Sequence, residues 1–123
     1  MGTFQVEIEI GDPQGGRWEK VQGTVGTHAT FALAPSSLLQ RLGVQPERRI
    51  SLRHPDGQLV ERDAAQTWLR ICEKSRIGIV VFGDEDESVL VGTNTLQGML
   101  LEPDYEKETL VSVVGLMPSR RIA

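Results

Sequence analysis

Apolar and polar residues alternate at the start of the chain. From Phe4 to Ile10 every second residue is apolar, and the residues between them are Gln or Glu. This period of two is typical of a strand with one buried face and one solvated face. Segment 11–16 contains Gly, Asp and Pro, which favour a turn, and residues 18–25 have the composition of a return strand. The pattern predicts a β-hairpin.

A short helix is predicted after the next apolar segment. Residues 31–34 are apolar, and the leucines between Leu38 and Leu42 then follow at helical spacing. Ser36 or Ser37 is expected to cap the first turn, because a hydroxyl oxygen can accept a hydrogen bond from a free backbone N–H group there.

Two more hairpins are predicted in the middle of the chain. Segments 50–53 and 58–61 flank a Pro-Asp-Gly run, which is a strong turn signal. Segments 68–71 and 77–82 are rich in residues that favour strands, and they flank the polar turn 72–76. These four segments are expected to be separate short strands.

The last third of the chain continues the same pattern. Segment 93–98 suits a second short helix with Thr93 as its N-cap. Segments 99–101 and 109–114 are predicted to be late strands, and residues 115–123 a loose tail. Many short strands with frequent turns predict an all-β fold with one or two short helices.

Composition and charge limit the function classes. A chain of 123 residues suits a single domain, here residues 1–123. The formal net charge of -4 argues against nucleic acid as a partner, because phosphate binding needs clustered Lys and Arg. No apolar stretch approaches the length of a membrane span, and the start of the chain lacks a signal-peptide pattern. A cytoplasmic protein with no membrane partner is therefore expected, and the single cysteine, Cys72, fits a reducing compartment.

Four features follow one another in an informative order. After the first hairpin, residues 25–30 read Val-Gly-Thr-His-Ala-Thr, and segment 31–35 leads from them into the short helix. The Asp56-Gly57 hairpin comes next, and residues 89–92 then read Val-Leu-Val-Gly before the second helix. Together these features resemble the retropepsin family of dimeric aspartic proteases, in which the first motif reads apolar-Asp-Thr-Gly-Ala-Thr.

The resemblance implies an architecture as well as a class of ligand. It implies a closed β-barrel that forms a homodimer, with a peptide-binding cleft whose floor is residues 25–30. Residues 48–63, called the flap hairpin below, would cover that cleft, and residues 109–114 would supply the interface strand. It also implies that Thr27 takes the place of a threonine that clamps the two subunits together.

Two departures fall in the catalytic motif. Gly26 stands where the family has its aspartate, and His28 stands where the family has glycine. Aspartic proteolysis needs two carboxylates that share one proton. Glycine supplies no carboxylate, so the chain is not expected to be an active aspartic protease.

His28 and Cys72 are the candidate catalytic residues. Imidazole titrates near neutrality and can act as a general base. A thiol beside His28 or His54 could form a nucleophilic pair, although the resemblance implies that Cys72 lies at a turn far from the cleft floor. No cofactor is expected, and two histidines are too few for a metal site within one chain. The expected substrate-binding residues are Gly26, Thr27, Ala29, His54, Asp56 and Gly57.

Two functional hypotheses follow from these residues. The paired exchange at positions 26 and 28 suggests deliberate redesign, which predicts an engineered scaffold where His28 acts as general base on activated esters or in similar acyl transfer. The alternative is an inactive pseudoprotease that binds extended peptides in the cleft. The expected partners are a second copy of the chain and a peptide or small ester.

Overall fold

The computed structural model describes residues 2–119. The chain is mostly β, as predicted, with 49% of residues in strands and 10% in helices. The elements in chain order are β1 (Phe4–Gly11), β2 (Trp18–Val25), β3 (Ala32–Pro35), α1 (Ser36–Arg41), β4 (Arg48–Arg53), β5 (Leu59–Ile71), β6 (Lys74–Gly83), α2 (Thr93–Gly98), β7 (Leu101–Asp104) and β8 (Thr109–Ser112).

The first hairpin forms as the alternation predicts. β1 pairs antiparallel with β2 from Phe4 opposite Val25 to Gly11 opposite Trp18. The turn is fixed by the Asp12 carboxylate, which accepts hydrogen bonds from the backbone N–H groups of Gly16 at 2.6 Å and of residue 17 at 3.2 Å. These hydrogen bonds, above all the one from residue 17, lower the pKa of Asp12.

The middle of the chain differs from the prediction because β5 is a single strand of 13 residues. Segments 58–61 and 68–71 were expected to be separate, since Arg, Asp, Ala and Gln between them do not favour strands. Ala64 and Ala65 are nevertheless buried, because their small side chains allow close packing. The following turn is correspondingly short and consists of Cys72 and Glu73, both at positive φ.

The predicted closed barrel is corrected by the sheet order. The main sheet runs β2-β1-β5-β6-β3, with β4 added on β5, so its path is open between β2 and β3. Segment 89–91 lies between these two outer strands. Thr24 exchanges backbone hydrogen bonds of 2.9 Å with Val89 and Val91, and Leu33 exchanges bonds of 3.1 and 2.9 Å with Leu90. Single bridges therefore join the two edges where a full strand pairing would close a barrel.

Both helices form where predicted, but neither has a side-chain N-cap. Pro35 occupies the N-cap position of α1, and the Ser36 hydroxyl instead donates to the carbonyl oxygen of Gly83 at 2.9 Å. Gly92, not Thr93, is the N-cap of α2. A Cβ atom at Gly92 would lie 2.3 Å from the backbone of Phe31, so only glycine permits this close approach.

The end of the chain forms a separate two-stranded sheet from β7 and β8. The strand predicted at 99–101 begins only at Leu101, because Leu100 has a φ of 55° and cannot continue an extended strand. β8 ends at Ser112, before the predicted position 114. Residues 113–119 form no helix or strand, and the rest of the predicted tail, 120–123, lies outside the described residues.

The core lies between the main sheet and the two helices. Ile10, Leu39 and Leu69 are among its fully buried side chains. Leu96 from α2 and Leu110 from β8 belong to the same cluster, so the small C-terminal sheet packs on the same core. In residues 2–119 no helix has the length and apolar character needed to cross a membrane.

Candidate ligand-binding cleft

Residues 26–31, called the cleft loop below, connect the buried ends of β2 and β3. Helix α2 fixes this loop, because the N–H group of Thr93 donates to the carbonyl oxygen of Ala29 at 2.8 Å and that of Asn94 donates to Thr30 at 2.9 Å. The free N–H groups at the start of α2 thus find their partners in the loop backbone. The loop is held by main-chain groups rather than by its side chains.

Gly26 has a backbone conformation that favours glycine. Its φ is 95°, and a Cβ atom there would lie 3.0 Å from Cε1 of Tyr105 and 3.2 Å from the carbonyl oxygen of Gly2. Tyr105 is itself held edge-on against Phe4, with the ring centroids 5.8 Å apart. An aspartate at position 26 would therefore meet both an unfavourable φ and a nearby aromatic ring.

His28 also has a left-handed backbone conformation, with a φ of 63°. Histidine adopts this region more readily than most residues, although at some cost. His28 lines depressions on both sides of the cleft loop, one of about 350 Å³ and one of about 510 Å³. The hydroxyl of the neighbouring Thr27 accepts a long hydrogen bond of 3.4 Å from the N–H group of Ala29.

The larger depression, called the cleft below, lies between the cleft loop and the flap hairpin. Leu52 and Val60 face each other across the β4–β5 pair and both line it. Much of the remaining lining is apolar, which suits burial of side chains from a ligand. The full lining is Thr27, His28, Ala29, Thr30, Phe31, Leu33, Leu52, Arg53, His54, Pro55, Val60, Arg62, Val81, Glu87 and Leu90.

The residues proposed from the sequence to bind substrate fall into three groups. Thr27, Ala29 and His54 line the cleft together with His28. Gly26 lines the smaller depression on the other side of the loop. Asp56 and Gly57 form the exposed tip of the flap hairpin, where the Asp56 carboxylate accepts a 2.9 Å hydrogen bond from the N–H group of residue 58.

Cys72 lies apart from both histidines. It is exposed in the turn between β5 and β6. Cleft-lining Val81 pairs with Ala64, and the end of β5 at Ile71 lies seven positions along the strand from Ala64. At about 3.3 Å per residue this is roughly 23 Å of strand, so no thiol–imidazole pair forms within the chain.

An ion-pair network forms one wall of the cleft. The Arg62 guanidinium donates to Oε1 of Glu87 at 2.8 Å and lies 3.5 Å from Oδ2 of Asp84. The Arg62 bond lowers the pKa of Glu87, and the same bond raises the pKa of Arg62. The sequence indicated only a solvated acidic loop at 84–87, because no local pattern links Glu87 to a residue 25 positions away.

No protein-family model matches the chain, and no curated protein matches it. Within residues 2–119, no three His, Cys, Asp or Glu side chains are grouped so that they could hold a metal ion.

Replacing Gly26 by alanine should destabilise the fold through both its φ and its contact with Tyr105. We expect Gly26→Ala to lower the free energy of unfolding by about 2–4 kcal/mol in urea denaturation. Gly57→Ala is a matched control, because Gly57 has a φ of 93° but a Cβ atom there would have no neighbour within 4 Å. The control should lose only about 1–2 kcal/mol. Equal losses at both positions would show that Tyr105 does not restrict position 26.

Replacing Glu87 by glutamine should reduce stability most at neutral pH. A carboxylate whose pKa is lowered by folding stabilises the protein above the unfolded pKa, about 4.3 for Glu, and this contribution is lost as the pH falls. Because Arg62 and Glu87 are partly exposed, we expect Glu87→Gln to cost about 1 kcal/mol at about pH 7. The difference from wild type should shrink between about pH 5 and pH 2 in urea denaturation. Glu106→Gln, at an exposed turn residue, is the control, and its stability should differ little from wild type at any pH. A loss of stability in Glu87→Gln that stays the same at every pH would contradict the assigned ion pair between Glu87 and Arg62.

Proposed function

We propose that this chain is a retropepsin-like pseudoprotease that binds an extended peptide in the cleft without hydrolysing it. The observation that carries the proposal is the composition of the cleft lining. Glu87 is its single carboxylate among the described residues, and Arg62 already engages it. The cleft thus offers an apolar surface for binding and no pair of acids for aspartic proteolysis.

The chemistry of an aspartic protease requires one carboxylate to accept a proton from water while the other donates one. Gly26 contributes neither group. Glu87 is a poor acid near neutral pH because its hydrogen bond to Arg62 lowers its pKa. The position of the family aspartate is also crowded by Tyr105, which supports a lasting loss of this activity.

The flap hairpin supports recognition of an extended chain. Among the described residues β4 pairs only with β5, so its other edge keeps free N–H and carbonyl groups. A peptide can add to such an edge as a further strand, with its alternate side chains in apolar pockets. Leu52 and Val60 supply apolar surface beside this edge.

We also propose that the chain forms a homodimer through residues 109–114 and the segment after them. Large apolar side chains are exposed there, with Val111 37% exposed, Val114 91% and Leu116 98%. Neighbouring exposed apolar side chains favour association, because burying them removes apolar surface from water. The resemblance to dimeric proteases points to the same region.

Hydrolysis of activated esters is the second candidate, and one observation favours it. His28 and His54 both line the cleft, so an ester bound there would meet an imidazole from either wall. In residues 2–119, however, neither imidazole has a hydrogen-bond partner that would orient it as a general base. This is why binding without turnover is the first proposal. The ester-hydrolysis hypothesis includes an engineered origin, which is proposed from the paired exchange at positions 26 and 28.

Peptide binding and turnover can be measured on the same sample. Fluorescence anisotropy with labelled extended peptides should show saturable binding, and mass spectrometry of the mixture should recover the peptides intact. His28→Ala should leave binding within about threefold of wild type, since one exposed side chain contributes little. Peptide fragments whose formation is inhibited by pepstatin would overturn the proposal. Hydrolysis of an activated ester that is lost in His28→Ala would favour the second candidate.

Truncating Leu52 should weaken binding if the peptide occupies the cleft. We expect Leu52→Ser to raise Kd roughly tenfold, because it removes about one buried aliphatic side chain from the contact. Leu59→Ser is the matched control, since Leu59 is a flap leucine that is 62% exposed and lies outside the cleft lining. Equal effects of the two substitutions in anisotropy titrations would place the peptide elsewhere.

A charge at Val111 should weaken the proposed dimer. Sedimentation velocity over a concentration series should show wild type shifting to a dimer, and Val111→Glu shifting only at roughly tenfold higher concentration. Ile77→Glu is the control, because Ile77 is 44% exposed on β6, outside the C-terminal sheet. A wild-type chain that remains monomeric at all concentrations would contradict the dimer.

A further inference from the structure

The residues after β8 carry large apolar side chains that are almost fully exposed. Residues 114–119, called the C-terminal arm below, form no helix or strand. Val114 is 91% exposed, Leu116 98% and Met117 89%. Contact of such side chains with water is unfavourable, and neighbouring exposed apolar groups mark sites of association. The arm therefore calls for a surface that covers these three side chains.

The smaller depression offers an apolar surface close to the start of the arm. Leu96 and Leu100 line it, and Leu100 is 46% exposed. Val113, the residue before the arm, lines it too, and its N–H group donates to the carbonyl oxygen of Leu100 at 2.9 Å. The volume of about 350 Å³ lies within the range of about 300–1,000 Å³ that is common for binding pockets. The depression thus has room for a few aliphatic side chains.

The arm leaves the depression of its own copy, since its apolar side chains are exposed, but the topology leads it toward a second copy. In residues 2–119 β8 pairs only with β7, so the other edge of β8 is free. Two copies of β8 that pair across a two-fold axis perpendicular to the sheet run antiparallel. Ser112 of one copy then lies near Thr109 of the other. Residues 114–117 extend about 7–17 Å further, toward the turn with Tyr105, which lines the depression.

Charge favours the same contact. The β7–β8 hairpin, residues 101–112, carries four carboxylates and a single lysine. The sequence places Arg120 and Arg121 directly after the arm. Charges of opposite sign on two surfaces favour their encounter and fix their orientation.

We propose that the smaller depression binds the C-terminal arm of a second copy, with Leu116 as the main anchor. The inference rests on the proposed homodimer and adds the surface that each copy offers to the other. The contact is reciprocal, because a two-fold axis repeats every contact of a dimer.

A spin label on the arm tests whether the contact joins two copies. Pro118→Cys in a Cys72→Ser background gives the nitroxide one attachment site just after the apolar side chains. This chain is mixed with isotope-labelled wild type that carries no nitroxide. In the mixed dimers the nitroxide should broaden the amide signals of Gln97, Leu101 and Tyr105, which line the depression. The signals of the flap tip should keep their widths.

Substitutions on the two surfaces test the anchor and its site. Leu116→Ser should raise the dissociation constant of the dimer roughly a hundredfold, because each dimer loses two buried leucine side chains. Leu100→Asn should also weaken the dimer, and asparagine suits the φ of 55° at that position. Leu59→Ser is the matched control, since Leu59 is 62% exposed and lies outside the smaller depression. Sedimentation velocity over a concentration series measures all three, and the control should match wild type.

The outcomes separate this inference from the proposed homodimer. Broadening between copies that is lost in Leu116→Ser supports the contact. A dimer without that broadening, or one that Leu116→Ser leaves as strong as wild type, overturns the contact while the homodimer stands. Broadening that occurs only when one chain carries both labels shows that the arm folds back on its own copy, which also overturns it. If wild type stays monomeric at all concentrations, the homodimer and this inference fail together.

Discussion

The hydrogen bonds that segment 89–91 makes to Thr24 on one side and Leu33 on the other hold the two ends of the main sheet together. The cleft loop starts just after the first of these residues and ends just before the second. Helix α2 completes the support by donating its first N–H groups to the loop carbonyls. All of these bonds join main-chain atoms, and the loop restricts its side chains most clearly at Gly26, where a φ of 95° and the Tyr105 ring disfavour any larger residue.

This main-chain support holds the cleft loop although two of its residues depart from the proteolytic motif that it resembles. Gly26 and His28, which stand where the family that the motif resembles has aspartate and glycine, both adopt positive φ. Tyr105 packs against Gly26, and the Arg62–Glu87 pair closes one wall. What remains is a groove with largely apolar walls that lacks the acid pair of an aspartic protease.

Local patterns predicted the elements better than their connections. The alternation from Phe4 to Ile10 predicted β1 correctly, because one face of that strand is buried and the other is solvated. The length of β5 was missed, since Ala64 and Ala65 lack strand propensity and are buried through tertiary packing. Serine and threonine caps were predicted for helices whose N-cap residues are instead Pro35 and Gly92. The Ser36 hydroxyl bonds instead to Gly83, and Gly92 packs against Phe31; these contacts join distant parts of the chain, so local sequence does not report them.

The candidate site, like the fold, was predicted from local sequence only in part. The loop and flap motifs predicted seven residues in one cleft. Four of them line it, namely Thr27, His28, Ala29 and His54, whereas Gly26, Asp56 and Gly57 do not. Arg62 was missed, because a single arginine in a strand is an ordinary surface residue by sequence. The role of Arg62 depends on Glu87, which only the fold brings next to it. Cys72 was a candidate catalytic residue because thiols are reactive, but it lies in the turn between β5 and β6, away from the cleft.

The central claim is that this cleft binds a peptide and leaves it whole. The most direct test is an NMR titration of isotope-labelled protein with an unlabelled peptide, followed by mass analysis of the same sample. The account predicts that the amide signals of Ala29, Leu33, Leu52 and Val60 shift in a saturable way, while the peptide mass stays unchanged. Fragments of the peptide, or shifts confined to the turn around Cys72, would contradict it.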